Sequence, residues 1–296
     1  MAVFENTLDD LVVYVLRNVV HEWWGGGKTT SAGSNATLKD TLLQQNDDYF
    51  QSINAWVHIR SGVYEGHDGK VSDFANTGNT VTFAPVAGGT IATDILYSVH
   101  VNYMWDEIVS AINLAIEQVA RDALIPIVDE QSVITVAGQF EYELPSNLVY
   151  LHKVTIGESD DTFEDITAYP PDEWRIVRGG TLPLLRFGKF PLEQQYAGHY
   201  YGAYTADSDF TAGLKVRLEG SGRPAKLQDP LDVCYIDPIY VAYKAGQFLH
   251  LPRIRSGEND PDEHRVQMQL CQQIADIAQI RVVSQQLPPN SRRVAI

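Results

Sequence analysis

The sequence predicts an α+β protein: a helical bundle with a β-rich domain and a small inserted antiparallel β module. Three observations lead there. Residues 104–121 place Trp105, Ile108, Val109, Ile112, Ala115 and Val119 at steps of three and four, with Asp106, Ser110, Asn113, Glu117 and Arg121 opposite. That spacing makes a helix with one buried and one wet face, and directly after it the apolar period falls to two. Residues 50–100 alternate apolar and polar side chains between glycines, the pattern of a small antiparallel sheet. Two proline-headed segments near the C-terminal end read as helices.

Residues 1–49 read as N-terminal helices and a flexible Gly/Ser/Thr loop. Thr7 suits an N-cap with Asp10 three residues on, and the helix it starts runs to Val20. The run Gly25-Gly26-Gly27-Lys28-Thr29-Thr30 invites comparison with a phosphate loop. It lacks the first glycine at the right distance and follows a helix rather than a strand, so nucleotide binding is not predicted. Residues 29–35 are expected to be mobile, and residues 37–45 to form a second short helix. Residues 50–103 are the inserted module, with strands over 53–59, 70–74 and 80–83. Residues 104–131 hold the central helix of the bundle.

The β-rich domain is placed at residues 132–227. Its strands are expected at 132–136 and 140–144, joined by a turn containing Gly138, then at 148–156, 183–187, 197–205 and 214–218. A short helix is expected at 171–177. Residues 228–285 return to the bundle. Asp229-Pro230 or Asp237-Pro238 starts one helix, which runs to about His250. Asp260, Pro261, Asp262 and Glu263 start the next, the acids opposing its dipole. On that helix Val266, Leu270, Ile274, Ile277 and Arg281 mark one stripe. Residues 286–296, broken by Pro288-Pro289, read as an extended docking tail.

The succession Val136, Gly138, Tyr142, Leu144-Pro145, Asn147-Leu148, Leu151, Lys153-Val154 and Ile156, set behind an amphipathic helix, resembles the adaptor proteins in the neck of tailed bacteriophages. Those proteins form the rings that sit under the portal and receive the tail. The resemblance covers residues 1–20 and 104–285, with residues 50–100 as an insertion. It implies a head-to-tail adaptor, a virion structural protein located in the neck after assembly in the host cytoplasm. It also implies a homo-oligomeric ring, a dodecamer, around a channel for DNA passage, with the portal protein and other neck or tail proteins as partners. The C-terminal segment would dock on the portal, which points to Arg292, Arg293, Val294 and Ile296. Such a tail gains order only from its partner, so deletion of residues 288–296 is expected to spare the fold. Aromatic anchors favour subunit interfaces, which assigns Trp23, Trp24, Tyr200 and Tyr204 to contacts within the ring.

The net charge of −16 sets limits on partners. DNA-gripping proteins usually show a basic patch, because counterion release drives phosphate binding. Here the lysines are dispersed, so DNA is expected to pass without specific binding. No apolar run approaches the roughly 20 residues that span a bilayer, and Asp9-Asp10 precede Leu11–Leu16 where a signal peptide would carry lysine or arginine. A membrane role is therefore not expected. Cys234 and Cys271, inside apolar patterns, read as buried free thiols of a reducing cytoplasm.

Catalytic, cofactor-binding and metal-binding residues are all expected to be none, and the protein is not read as an enzyme. The pairs Asp47-Asp48, Asp160-Asp161 and Asp262-Glu263 fall at turns or helix starts. His58, His67 and His100 could converge on a metal, but isolated strand histidines more often pack or face solvent. Three alternatives keep a place. One is a tail-fibre or baseplate component that stacks host glycans on the Tyr196–Tyr204 cluster. The second is another neck protein, a stopper or tail-completion factor, and the third a hydrolase with dispersed catalytic residues.

Overall fold

The computed structural model describes residues 5–120, 123–157, 163, 174–178, 182–187, 212–254, 261–282 and 291–294. The chain forms two compact units. One consists of Met1–Val119 with Lys226–Val283, the other of Ala120–Ala225 with Ser284–Ile296.

The first unit opens with β1 (Asn6–Thr7) and α1 (Leu8–Tyr14), capped as its sequence signals: Thr7 Oγ1 accepts the Asp10 N–H at 3.1 Å. A π-helical turn (Val15–Val19) prolongs α1. Then come β2 (Trp23–Lys28), β3 (Thr37–Lys39), the single-turn α2 (Tyr49–Ser52), β4 (Trp56–Ile59), β5 (Asp68–Ala75), β6 (Thr80–Ala84) and β7 (Leu96–His100). These six strands form one antiparallel sheet in the order β2-β7-β4-β5-β6-β3. The sheet curls until its edges meet, where Ser31, just beyond β2, bridges Lys39 of β3. Closure removes free edges and leaves an interior that side chains must fill. Phe50, Val57, Phe74, Val81, Phe83 and Tyr97 fill it. The Tyr97 hydroxyl donates to buried Asp40 at 2.5 Å. Burial, then the Asp40 hydrogen bond and charge, push the phenol well above its ordinary range. On the outside, Arg60 makes a two-toothed ion pair with Asp9 of α1, its Nε 2.6 Å from Oδ1. The long amphipathic helix α3 (Trp105–Val119) follows, burying Ile108, Ile112, Ala115 and Val119 as its period requires.

The second unit supplies β8 (Ile125–Ile134), β9 (Glu141–Glu143), β10 (Leu148–Ile156), β11 (Trp174–Val177), β12 (Leu184–Phe187) and β13 (Lys215–Gly222). Back in the first unit, β14 (Val233–Cys234) pairs with β1 and is followed by α4 (Pro238–Arg253) and α5 (Pro261–Gln279). Asp237 caps α4, its carboxylate accepting the Ile239 N–H at 2.9 Å with Pro238 in the first turn. Finally β15 (Arg292–Arg293) joins the second unit. That unit has a four-stranded sheet ordered β15-β10-β13-β8 and a three-stranded sheet ordered β11-β12-β9. Both contribute to one core containing Leu151, Val154, Trp174, Leu185, Val216 and Leu218. The turn between β8 and β9 needs Gly138 at φ 74°, and Tyr142 pins it by accepting the Val136 N–H at 3.0 Å and donating to Gln139 O at 2.8 Å.

The expected helical bundle with a small β module is not the architecture. Among the described residues there are fifteen strands and five α-helices, one of which is a single turn. Stretches read as helix or loop are strand. Gly25–Lys28 pairs with β7, and a Cβ on Gly25 would press within 3.2 Å of Leu43, so the bare backbone makes room for that packing. Thr29, placed in a mobile loop by the sequence, is buried, with its hydroxyl donating to Ala92 O at 2.8 Å and accepting from Ile95 N at 3.0 Å. Thr37–Lys39 is strand rather than helix, and so is Trp174–Val177. Because β2 and β3 complete the sheet of β4–β7, the β module runs from Trp23 to His100 rather than beginning at residue 50. Tertiary pairing has overridden local propensity at each point.

Candidate functional site

Three helices of the first unit carry the candidate site. α4 lies between α3 and α5 and packs against both. Its contact with α5 is made by small residues. Gly246 of α4 sits so close that an added Cβ would lie 2.4 Å from Val19 and 3.1 Å from Cys271 Sγ. α5 answers with Cys271, Ala275 and Ala278, its buried residues. Large apolar residues of α5 face outward, with Val266 62% exposed, Leu270 48% and Ile277 65%, and Ile280, just past its last turn, is 72% exposed. With Gln273 they recur at steps of four and three, the 3.5-residue period of a seam that receives another helix. The stripe read from sequence shares Val266, Leu270 and Ile277 with this row but continues through Ile274 and Arg281, where the exposed row passes through Gln273 and Ile280. Only the packing shows that it is a ridge in solvent rather than a core face.

On the far side of α4, α3 and α4 enclose an open cleft of about 530 Å³. Small Ser110 and Ala111 and apolar Leu114 and Phe248 line it, and one end carries Asp106, Glu107 and Arg253. Glu107 also accepts the Met104 N–H at 3.2 Å, holding the first turn of α3. Behind that end lies a buried polar chain. Tyr103 Oη is 3.2 Å from His250 Nδ1, which is 3.1 Å from His264 Nδ1, and the Arg253 guanidinium covers the Tyr103 ring at 4.1 Å. Burial first, then the His264 and Arg253 charges, lower the His250 pKa to about 4, so this histidine stays neutral at ordinary pH.

A second cluster joins the sheet to α3. His58 stacks flat on Trp105 at 3.9 Å and its Nδ1 lies 2.8 Å from Asp68. His100 is wholly buried beside Trp105, with its rings 6.3 Å apart. His67, the third histidine of the module, lies with its Nε2 2.9 Å from Pro85 O instead. Among the described residues no group of three His, Cys, Asp or Glu is placed to hold a metal ion. Cys234 and Cys271 are buried free thiols, and burial pushes both up to about 11.

The residues singled out from sequence do not converge. Trp23 and Trp24 lie on β2. Arg292, Arg293 and Val294 belong to the second unit. Tyr200, Tyr204, the rest of the Tyr196–Tyr204 cluster and Ile296 lie outside the described residues. The tail is no free arm at residues 291–294: Arg292 and Arg293 pair with β10, and Val294 is 1% exposed in the core. Arg292 stacks on buried Trp174 at 4.4 Å and donates to its carbonyl. Residues 291–294 are thus expected to hold order without a partner, because Val294 and the Arg292–Trp174 contact anchor them. Among the described residues no helix is long and apolar enough to cross a membrane. No protein-family model matches the chain, and no curated protein matches it.

Proposed function

We propose that this chain is a self-assembling structural subunit, the head-to-tail adaptor of a tailed bacteriophage, forming a ring between portal and tail. The observation that carries the reading is the α5 ridge. Four large apolar side chains held 48–72% exposed at coiled-coil spacing form a surface that gains free energy from a partner helix. In such a ring each copy would offer one face to the neighbour on its left and another to the neighbour on its right. The charge of −16 supports a channel that lets DNA slide without gripping it, since no basic stripe is available for phosphates. Sedimentation and negative-stain images of the purified chain test the proposal. Closed rings with a central hole are expected. A monomer at every concentration up to the solubility limit would remove the adaptor reading.

A further inference from the structure

Resting on that reading, we infer that the α5 ridge of one copy seats in the α3–α4 cleft of the next. The two features lie on opposite sides of α4, so one copy can give its ridge to one neighbour while receiving the ridge of another. That contact is head-to-tail and repeats, closing into a ring wherever its rotation allows. It also extends the α3-α4-α5 layer by three helices per copy, with α5 of each copy lying beside α3 of the next.

Charge sets the direction. Arg281 stands two residues past the end of α5, and Asp106 and Glu107 stand at the N-terminal end of α3, where Arg253 is turned onto the Tyr103 ring and donates to Asn102 O. Bringing those ends together runs α5 antiparallel to α3. The negative end of one helix dipole then meets the positive end of the other, and the arginine meets two carboxylates. With Arg281 beside Asp106, a helical rise of about 1.5 Å per residue puts Ile277, four residues back, level with Ser110, four residues on. Ile277 therefore falls on the small residues of the lining, Ser110 and Ala111, and Ile280, the most exposed of the ridge, falls level with Glu107. Gln273 then lies level with Leu114, whose side chain is 50% exposed and would be covered, and Leu270 lies level with Glu117. An apolar knob over a small-residue hole is the ordinary packing of paired helices.

Cysteine pairing tests this in the full chain, because both native thiols are buried. Copies carrying Ser110→Cys are mixed with copies carrying Ile277→Cys under oxidising conditions. The mixture is expected to give a covalent dimer that neither variant gives alone. A link between two Ile277→Cys copies would show α5 against α5 and overturn this seating while leaving self-assembly intact. Rings without either link would overturn it too, whereas a chain that sediments as a monomer throughout overturns the adaptor reading itself. Charge reversal gives an independent readout. Asp106→Arg or Arg281→Glu alone should weaken assembly about tenfold, and the double variant should recover most of it. Two single variants that assemble normally, or a double variant that recovers nothing, would count against the antiparallel register.

Discussion

His100 shows what a single residue can commit a fold to. It ends β7 fully buried, and among the described residues neither ring nitrogen has a hydrogen-bond partner. Burial is the largest influence on it, the nearby His58 charge adds to the effect, and Asp68 opposes it; the pKa falls from 6.5 to about 4. The consequence for stability has a definite sign. Between those values the unfolded chain binds a proton at His100 and the folded chain does not, so stability is full above pH 6.5 and is lost as pH falls toward 4. The loss reaches about 3 kcal/mol for this one side chain and then levels off. His250 adds a second loss over the same window. Urea midpoints measured across that range should fall steeply for the native sequence and less steeply for His100→Phe. Identical slopes in the two proteins would place the acid sensitivity elsewhere. None of this was legible from sequence, where His58, His67 and His100 are three scattered histidines. Burial and the Trp105 stack distinguish them, and both depend on contacts between strands and a distant helix.

Elements with long, strong periods were the legible ones. α3, α4 and α5 form where the apolar spacing and the Asp-Pro starts placed them, and β10 spans residues 148–156 as read. Short strands were lost when their composition favoured something else: three glycines in β2, a capping-like Thr37 in β3. The orientation of α5 was hidden for a related reason. Its heavy stripe and its light stripe both read as apolar, and which one faces inward depends on Gly246 across the contact. In an exposed helix Gly→Ala gains up to about 1 kcal/mol. Here Gly246→Ala forces a methyl into Val19 and Cys271, so the sign should reverse to a loss of about 1–3 kcal/mol, read as a lower melting temperature. A stabilised variant would mean that α4 and α5 are more loosely packed than described. The tail yields an element-scale prediction as well. Val294→Asp puts a carboxylate into the core of the second unit and should destabilise it by about 3 kcal/mol or more, whereas Arg293→Ala, on the exposed side of β15, should change little. Equal melts for the two variants would restore the free docking arm.

At the scale of the whole molecule, the chain leaves the first unit after α3 and returns at Lys226, and both ends of that excursion are fixed on α3. Asn113 uses its full side-chain amide on one residue: Nδ2 donates to Leu227 O at 2.9 Å and Oδ1 accepts from Leu227 N at 2.8 Å. Glu117 adds an exposed contact to Lys226 at 3.8 Å, which contributes little by itself but marks how near the two chain ends lie. Neighbouring termini are what permit one unit to be inserted in another or removed from it. The first unit also holds its own apolar interior, with Leu11, Leu16, Ile112 and Val241 among its fully buried residues beside the closed sheet. A chain that joins Val119 to Lys226 through a short Gly/Ser linker and stops at Val283 should therefore fold, melt in one cooperative transition and keep the α5 ridge. Removal of residues 50–100 should do the opposite, because β2 would lose its partner β7 and β3 its partner β6, exposing unpaired edges. Circular dichroism melts of the two shortened chains separate the outcomes. A cooperative transition in the chain lacking residues 50–100, or an aggregating product from the Val119–Lys226 fusion, would show that the folding units are divided elsewhere.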